Sequence, residues 1–345
     1  MSTDTARTIE RPTMNALSRV AVLDDYQRVA RDCADWSLLG DDVEVTFFHD
    51  HVDDARQLVN RLLPYDVVVA MRERTPFPGD VLRSLPGLRL LVATGMHHSA
   101  IDFDTATELG ITVCGTQSWR GATATIELTW GLILALARGI ATEDRAIRSG
   151  GWQVGLGTLL EGKTLGIVGL GNLGSLLPPV ATALGMRSVA WSVNLTHERA
   201  AEVGVERLDH DEFFAASDVI SVHLKLGTRS HGYVGRAQFD LMKPTALLVN
   251  TSRGPVVDEA ALLDALRSRR IAGAALDVYD REPLPVDHPL RSMPNALLTP
   301  HVGYATVETY GEYYDQAVED IVAFREGNPL RRLGDGPEWP FGAGL

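Results

Sequence analysis

Short apolar runs closed by acidic or glycine-bearing turns recur along this chain. Residues 19–25 read as a strand ending in Asp24 and Asp25, and residues 43–48, 65–70, 88–93 and 111–114 repeat the pattern. Helix-like stretches lie between them, at 53–63 and 102–109. Strands alternating with helices predict a parallel, doubly wound sheet. A second series begins at Lys163, with apolar runs at 165–168, 188–192, 219–223, 246–250, 273–277 and 296–298. Between the fourth and fifth of these lies a legible helix. Asp258 caps its start, Leu262, Leu263 and Leu266 line one side, Arg267, Arg269 and Arg270 suit its negative end, and Gly273 closes it. Residues 123–138 are apolar nearly all round, which predicts a helix buried on most sides. A membrane span needs about 20 uncharged apolar residues; this stretch is shorter and holds Glu127, so a core or subunit-interface helix fits better.

The second series opens on Gly169, Gly171 and Gly174, a G-x-G-x-x-G placed where a buried strand should turn into a helix. In that setting the first glycine allows the tight turn, the second lets backbone N–H groups approach a pyrophosphate, and the third packs helix against strand. The helix N-terminus behind them favours an anion. Dinucleotide binding is the expectation, against an ordinary glycine-rich turn.

Composition narrows the partners. The chain has 345 residues, enough for two domains, with 45% hydrophobic and 22% charged residues, as in an ordinary soluble globular protein. A net charge of −13 argues against nucleic acid or an anionic membrane as partner. Cys33 and Cys114 lie far apart with no neighbouring ligand at metal spacing, so no metal is expected and a reduced, cytoplasmic setting fits. Residues 1–18 read as a disordered tail without a signal-type apolar run, and Met14 is a second candidate start. The Gly- and Pro-rich end, 331–345, reads as irregular.

Three polar stretches follow successive predicted strands of the second series, and they carry Arg253, Glu282 and His301. Ligands of open parallel sheets bind beyond the carboxyl ends of the strands, so these side chains can converge. Arg presents a planar fork to a carboxylate, His moves a proton near neutrality, and Glu orients the ring and favours its charged form. Pro283 and Pro300 hold the flanking backbone extended. Taken singly, such an Arg, Glu or His is ordinarily a turn partner or a solvated residue; three at successive strand ends downstream of the fingerprint form a set.

Over residues 19–325 the chain resembles the D-isomer-specific 2-hydroxyacid dehydrogenases, including the glyoxylate/hydroxypyruvate reductase-like members. Gly169 to Gly174, Met242 to Pro244, Leu248 to Gly254, Asp277 to Pro285 and Thr299 to Gly303 carry the likeness. The resemblance implies two doubly wound α/β domains: a Rossmann NAD(P)-binding domain, 118–299, inserted in a flavodoxin-like substrate domain, 19–117 with 300–330. It implies an active site in the cleft between them, and hydride transfer between nicotinamide and C2 of a small D-2-hydroxy or 2-oxo acid. Arg253 would hold the substrate carboxylate and carbonyl, His301 would be the acid/base, and Glu282 its partner. Asn172 and Leu173 would offer backbone N–H to the pyrophosphate, Asp277 would meet the carboxamide, and Thr251 and Gly303 would border the cofactor. Gly95, Met96 and His97 occupy the family's carboxylate-binding loop. The adjacent histidines there do not make a metal site, and Arg72 or Arg74 is either a second anion contact or a solvated loop residue. The helix at 123–138 looks like the family's dimerisation element, so a homodimer is expected.

Departures from the family pattern qualify this reading. Ser192 stands where an acidic residue ordinarily meets the adenosine ribose, with Asn194 beside it; NAD is the default cofactor and NADP an alternative. Pro178 and Pro179 fall in the helix expected after the fingerprint and should distort it. Lys225 takes the place of a common Pro. Two rivals stand: a formate- or phosphite-type dehydrogenase, against which Glu282 speaks because formate enzymes carry Gln there, and a nucleotide-sensing corepressor-like protein.

Overall fold

A computed structural model of the protein describes residues 17–334 except His97 and Ser99. The expectations for His97, for residues 1–16 and for residues 335–345 therefore lie outside the described residues. The chain divides into two units, one of residues up to Trp119 together with those from Thr306 onward, the other Arg120–Ala305. The sequence reading placed the crossings at 117/118 and 299/300. Residues 300–305 group with the second unit because Val302 and Gly303 donate their N–H groups to Asp277.

In the first unit, β1 (Arg19–Val22), β2 (Glu44–Phe47), β3 (Val67–Ala70), β4 (Leu90–Thr94) and β5 (Thr112–Thr116) form a parallel sheet in the order β2-β1-β3-β4-β5. Helices α1 (Ala55–Leu62), α2 (Gly79–Arg83) and α3 (Phe103–Leu109) connect the strands. Asp54 and Asp102 cap α1 and α3 by accepting N–H bonds three residues on. The strands are fully buried runs such as Val67 to Ala70, because a parallel sheet is covered on both faces. Leu17 and Ser18, assigned to the tail from sequence, belong to this unit: Leu17 is buried, and the Ser18 N–H donates to Asp66 Oδ2 at 2.8 Å.

In the second unit, α4 (Gly121–Arg138) and α5 (Ile140–Arg148) precede β6 (Thr164–Val168). There follow α6 (Pro178–Ala183), β7 (Arg187–Trp191), α7 (His197–Glu202), β8 (Glu206–Arg207), α8 (His210–Ala216), β9 (Val219–Val222), α9 (Arg236–Leu241), β10 (Leu247–Asn250), α10 (Glu259–Arg267), β11 (Gly273–Leu276) and β12 (Ala296–Leu298). The parallel sheet runs β12-β11-β10-β9-β6-β7-β8, so the order reverses between β6 and β9, at the strand that leads into Gly169. The two-residue β8, too short to show a period, was not legible in the sequence. After Ala305 the chain returns to the first unit as α11 (Val307–Arg325), which packs on β4 and β5.

The structure gives definite form to three further sequence expectations. The α4 helix buries Ile126, Trp130, Leu132, Ile133 and Ala137 against β10 and β11 and leaves Leu134 and Glu127 exposed, so burial covers one side where the apolar pattern predicts most. Beyond the fingerprint a 3-10 turn, Gly174–Leu176, gives way to α6 with Pro178 and Pro179 at its first two positions, where a missing N–H is tolerated. Leu173 and Leu177 keep right-handed helical dihedrals, so the chain path stays helical while the hydrogen-bond ladder is interrupted. Both pieces are so short that the full helix dipole expected there is not built. At the far end, Arg331 to Leu333 is not irregular: the Gly115 N–H donates to Arg331 O at 2.9 Å and the Leu333 N–H to Val113 O at 2.8 Å, covering the β5 edge.

Among the described residues no single helix is long and apolar enough to cross a membrane; α4 and α5 reach that composition only as a pair bent by 64°.

Candidate active site

The three fingerprint glycines answer to three different spatial demands. Gly169 has φ +96°, and a Cβ on it would stand 2.8 Å from the His223 carbonyl oxygen. Gly174 is packed so closely that a Cβ would overlap Gly169 O. Around Gly171, by contrast, a Cβ would meet nothing within 4 Å. A tight turn, a close helix–strand contact and an open backbone edge are what a dinucleotide pyrophosphate requires. The residues present fit the cofactor, with Asn172 and Leu173 next to that open edge.

Arg253 follows β10 on a loop built by Asn250. The Asn250 side chain accepts from the Ser252 N–H at 3.0 Å and from Ser252 Oγ at 2.9 Å, and its Nδ2 donates to Arg253 O at 2.9 Å. Arg253 Nη1 donates to Ser252 O at 2.7 Å, which fixes one edge of the guanidinium. A Cβ on Gly254 would overlap the Tyr279 carbonyl, so the Arg253 loop lies directly against the loop that carries Glu282. Thr251 Oγ1 meets Thr129 Oγ1 of α4 at 2.8 Å.

Glu282 and His301 come together as the sequence led us to expect. His301 Nδ1 lies 2.5 Å from Glu282 Oε2, and Glu282 Oε1 accepts the Tyr279 N–H at 2.9 Å. A carboxylate only accepts, so Nδ1 carries the proton and Nε2 is left as the atom for proton transfer. His301 has φ +52°, an uncommon backbone state for a residue with a side chain. Asp277 holds it there. Its Oδ1 accepts from Thr299 Oγ1 at 2.6 Å and the Val302 N–H at 2.9 Å, and its Oδ2 from the Gly303 N–H at 2.9 Å, so the carboxylate holds a side chain before His301 and the backbone after it. Burial raises the Asp277 pKa, and these hydrogen bonds oppose the shift. Tyr279 adds a second tie, its hydroxyl donating to Thr299 O at 2.8 Å.

At the end of β7, beside the start of the fingerprint, Trp191 O accepts the Gly169 N–H at 3.1 Å, and Ser192 O accepts from the Leu195 N–H at 3.1 Å, closing a turn that leaves Asn194 exposed. Neither residue brings a charge. His223 sits behind Gly169 with Nε2 2.8 Å from Ser221 Oγ and Nδ1 buried; burial drives its pKa down to about 4, so it is neutral.

Arg72, Arg74, Gly95 and Met96 belong to the first unit. Arg74 is committed to its own unit: Nη1 donates to Asp24 O at 2.8 Å, Nη2 to Tyr310 Oη at 3.4 Å, and the guanidinium lies 4.7 Å from the Tyr26 ring centroid. That argues for a structural part. Arg72, with φ +52°, places its guanidinium directly against Gly95, so that a Cβ on Gly95 would overlap it. Several supporting residues escaped the sequence reading. Thr129 of α4, Tyr279, Thr299 and Ser252 act through backbone atoms or residues remote in sequence, and no local pattern announces them. His223 had a signal, a histidine closing an apolar strand.

A Rossmann-type unit with an Arg, a Glu–His pair and a glycine cradle at its strand ends defines a nicotinamide-dependent dehydrogenase. Comparison with known proteins names the family. The model described as D-isomer specific 2-hydroxyacid dehydrogenase, NAD binding domain, matches residues 130–303. A glyoxylate reductase from Aeropyrum pernix is 40% identical over 257 residues, covering 72% of this chain and 76% of that one. A D-3-phosphoglycerate dehydrogenase from Archaeoglobus fulgidus is 35% identical over 277 residues, 80% of this chain but only 52% of its own length. The crystal structure of a phosphoglycerate oxidoreductase from Vibrio cholerae superposes with a TM-score of 0.84 at 36% identity, covering 90% of this chain and 99% of that one. The chain belongs to the D-isomer specific 2-hydroxyacid dehydrogenases and is an NAD(P)-dependent oxidoreductase of CH–OH donors.

Proposed function

We propose that the protein interconverts a small D-2-hydroxy acid and its 2-oxo acid, with Arg253, Glu282 and His301 as the working side chains. The observation that carries this is the Glu282–His301 pair, which leaves Nε2 as the ring's one proton-exchanging atom. When bound, the nicotinamide supplies or accepts the hydride at C2. In reduction, His301 Nε2 gives its proton to the substrate oxygen; in oxidation it takes the hydroxyl proton, and Glu282 balances the charge the ring then carries. Arg253 binds the carboxylate and polarises the carbonyl.

Gly95 and Met96 are the proposed carboxylate loop, and Arg72, rather than Arg74, is the proposed second polar contact. The relatives named for glyoxylate and for phosphoglycerate support a short 2-oxo acid, the latter with a second anionic group that Arg72 suits. Thr251, Asp277, Gly303, Ser192 and Asn194 are proposed to border the dinucleotide, with NAD as default and NADP compatible with a neutral Ser192. Nicotinamide absorbance, followed with NADH or NADPH and glyoxylate, hydroxypyruvate, pyruvate, oxaloacetate and bulkier 2-oxo acids, tests the reading. Oxidation with at least one acid is expected, and silence across the panel despite measured cofactor binding overturns it.

We also propose a homodimer, though not through α4 alone, whose apolar face is largely spent on its own sheet. Exposed Ile140, Ile147, Trp152, Val154, Leu156 and Leu159 form an apolar tract downstream. Glu143 holds its base by accepting the Val154 and Gly155 N–H groups. Light scattering should give twice the chain mass for the wild type and the chain mass for Leu156→Asp.

A further inference from the structure

The edge of the first sheet carries a feature that the proposed chemistry leaves unused. Arg331 to Leu333 runs antiparallel to β5, bridging Cys114 to Arg332. Its anchor is Arg331, which adopts φ +44° and spends its guanidinium on α11: Nε donates to Asp320 Oδ1 at 3.1 Å, and Nη2 to Gln316 O and Glu319 Oε2, each at 2.9 Å. Asp320 is fully buried, so this anchor is a desolvated, charge-assisted pair rather than a surface ion pair.

Gly115 is where this segment meets the loop after β4. A Cβ on Gly115 would stand 2.7 Å from Gly95 O, 2.9 Å from Leu333 Cδ1 and 3.1 Å from Met96 Sδ. Three groups thus close on one glycine: the carbonyl and the thioether of the loop, and the side chain of the C-terminal segment. Gly115 has no positive φ, so its need for hydrogen at Cα is purely one of space. The opposite flank of Gly95 is taken by Arg72, and the Gly95 N–H donates to Thr116 O at 2.9 Å. Gly95 thus has Arg72 on one flank and Gly115 on the other, and Leu333, more than two hundred positions later in the chain, sits over that same Gly115.

We propose that Leu333, held by the Arg331–Asp320 anchor and seated over Gly115, is a positioning residue for the Gly95–Met96 loop and thereby tunes the affinity for the 2-oxo acid. The second half of this rests on the reading that the loop binds the substrate carboxylate. Without the brace, Gly95 O and Met96 gain room to shift, and a displacement of about 1 Å is enough to weaken a positioned contact strongly.

The experiment uses the full chain with Leu333→Ala, Arg331→Ala and Gly115→Ala, and Leu333→Met as the volume-keeping control. Amide hydrogen exchange of the segment containing Gly95 and Met96 should quicken in the three variants and return to the wild-type rate in Leu333→Met. The KM for the 2-oxo acid should rise by about tenfold while kcat and the dissociation constant for NADH hold. A variant that merely loosened the fold would lower kcat per total protein and the melting temperature without this split. Unchanged exchange in Arg331→Ala and Leu333→Ala overturns the brace, and quickened exchange with an unchanged KM overturns its role in substrate affinity. A wild type inactive on every 2-oxo acid sinks the functional reading instead, and the exchange comparison still decides the brace.

Discussion

The two sheets share an architecture and differ at their carboxyl edges. Beyond the five-stranded sheet the polar groups are spent on one another. Asp24 accepts from Thr75 Oγ1 at 2.7 Å and pairs with His51 Nδ1 at 2.9 Å, while Arg74 closes over its carbonyl and the Tyr26 ring. Beyond the seven-stranded sheet the polar groups are just as ordered, but the order stops one atom short. Asn250, Asp277 and Tyr279 tie down the backbone around the candidate residues, and the pair with Glu282 takes up His301 Nδ1 and not Nε2. A buried polar cluster is thus not by itself a site; what distinguishes one is which atoms the scaffold leaves over.

The largest effect that can break this comparison is on turnover. His301→Ala should lower kcat by about 10²–10⁴, the usual range for a positioned acid/base, with NADH binding retained. Glu282→Gln should lose a smaller share of the same rate. A His301→Ala enzyme with wild-type turnover would remove the basis of the assignment. Next comes the opposite behaviour in the first unit: Asp24→Ala should cost about 1–3 kcal/mol of stability, read from the denaturant midpoint, because Thr75 and His51 lose a buried partner. Turnover per folded molecule should change little.

pH sharpens the contrast. In the first unit, burial pushes the Asp320 carboxyl from 3.8 up to about 7, against the pull of Arg331 and with the push of Glu319. The unfolded chain gives up that proton at lower pH than the folded one, so stability falls as pH rises from about 4 to 7 and stays lower above it. In the second unit, burial pushes His223 from 6.5 down to about 4. There the unfolded chain takes up the proton first, so stability is full above pH 6.5 and falls as pH drops toward 4. Each is worth on the order of 3–4 kcal/mol across its window. Asp320→Asn should flatten the first slope and His223→Gln the second, in denaturation midpoints taken from pH 5 to 8; parallel slopes in wild type and variant would show that the named group is not the source. Smallest is Ser192→Asp, which should lower NADPH use relative to NADH by about tenfold through like-charge repulsion, measured as the ratio of kcat/KM values.

Much of the fold was legible because parallel strands are continuous apolar runs, and the runs ending at Val168, Asn250 and Leu298 mark the very edges where the site residues follow. Pro178 and Pro179 announced a disturbed helix, and the structure shows its form. What stayed hidden depends on distance along the chain. The commitment of Arg74 needs Tyr310, and the pairing of Arg331 to Leu333 with β5 needs an edge strand more than two hundred residues away. The two-residue β8 has too few positions to carry a period. Within the site, Arg253, Glu282 and His301 stood out through chemistry and order, whereas Asn250 and Tyr279 act on backbone atoms that any sequence possesses, and Thr299 on a carboxylate twenty-two residues away.

The contact between Gly254 and the Tyr279 carbonyl reaches beyond catalysis. No side chain fits between the two loops, so a change at Gly254 would have to be matched by a rebuilt path at Tyr279 and Asp280. The segments bearing Arg253 and Glu282 are therefore one mechanical piece, able to shift together and unable to shift past each other.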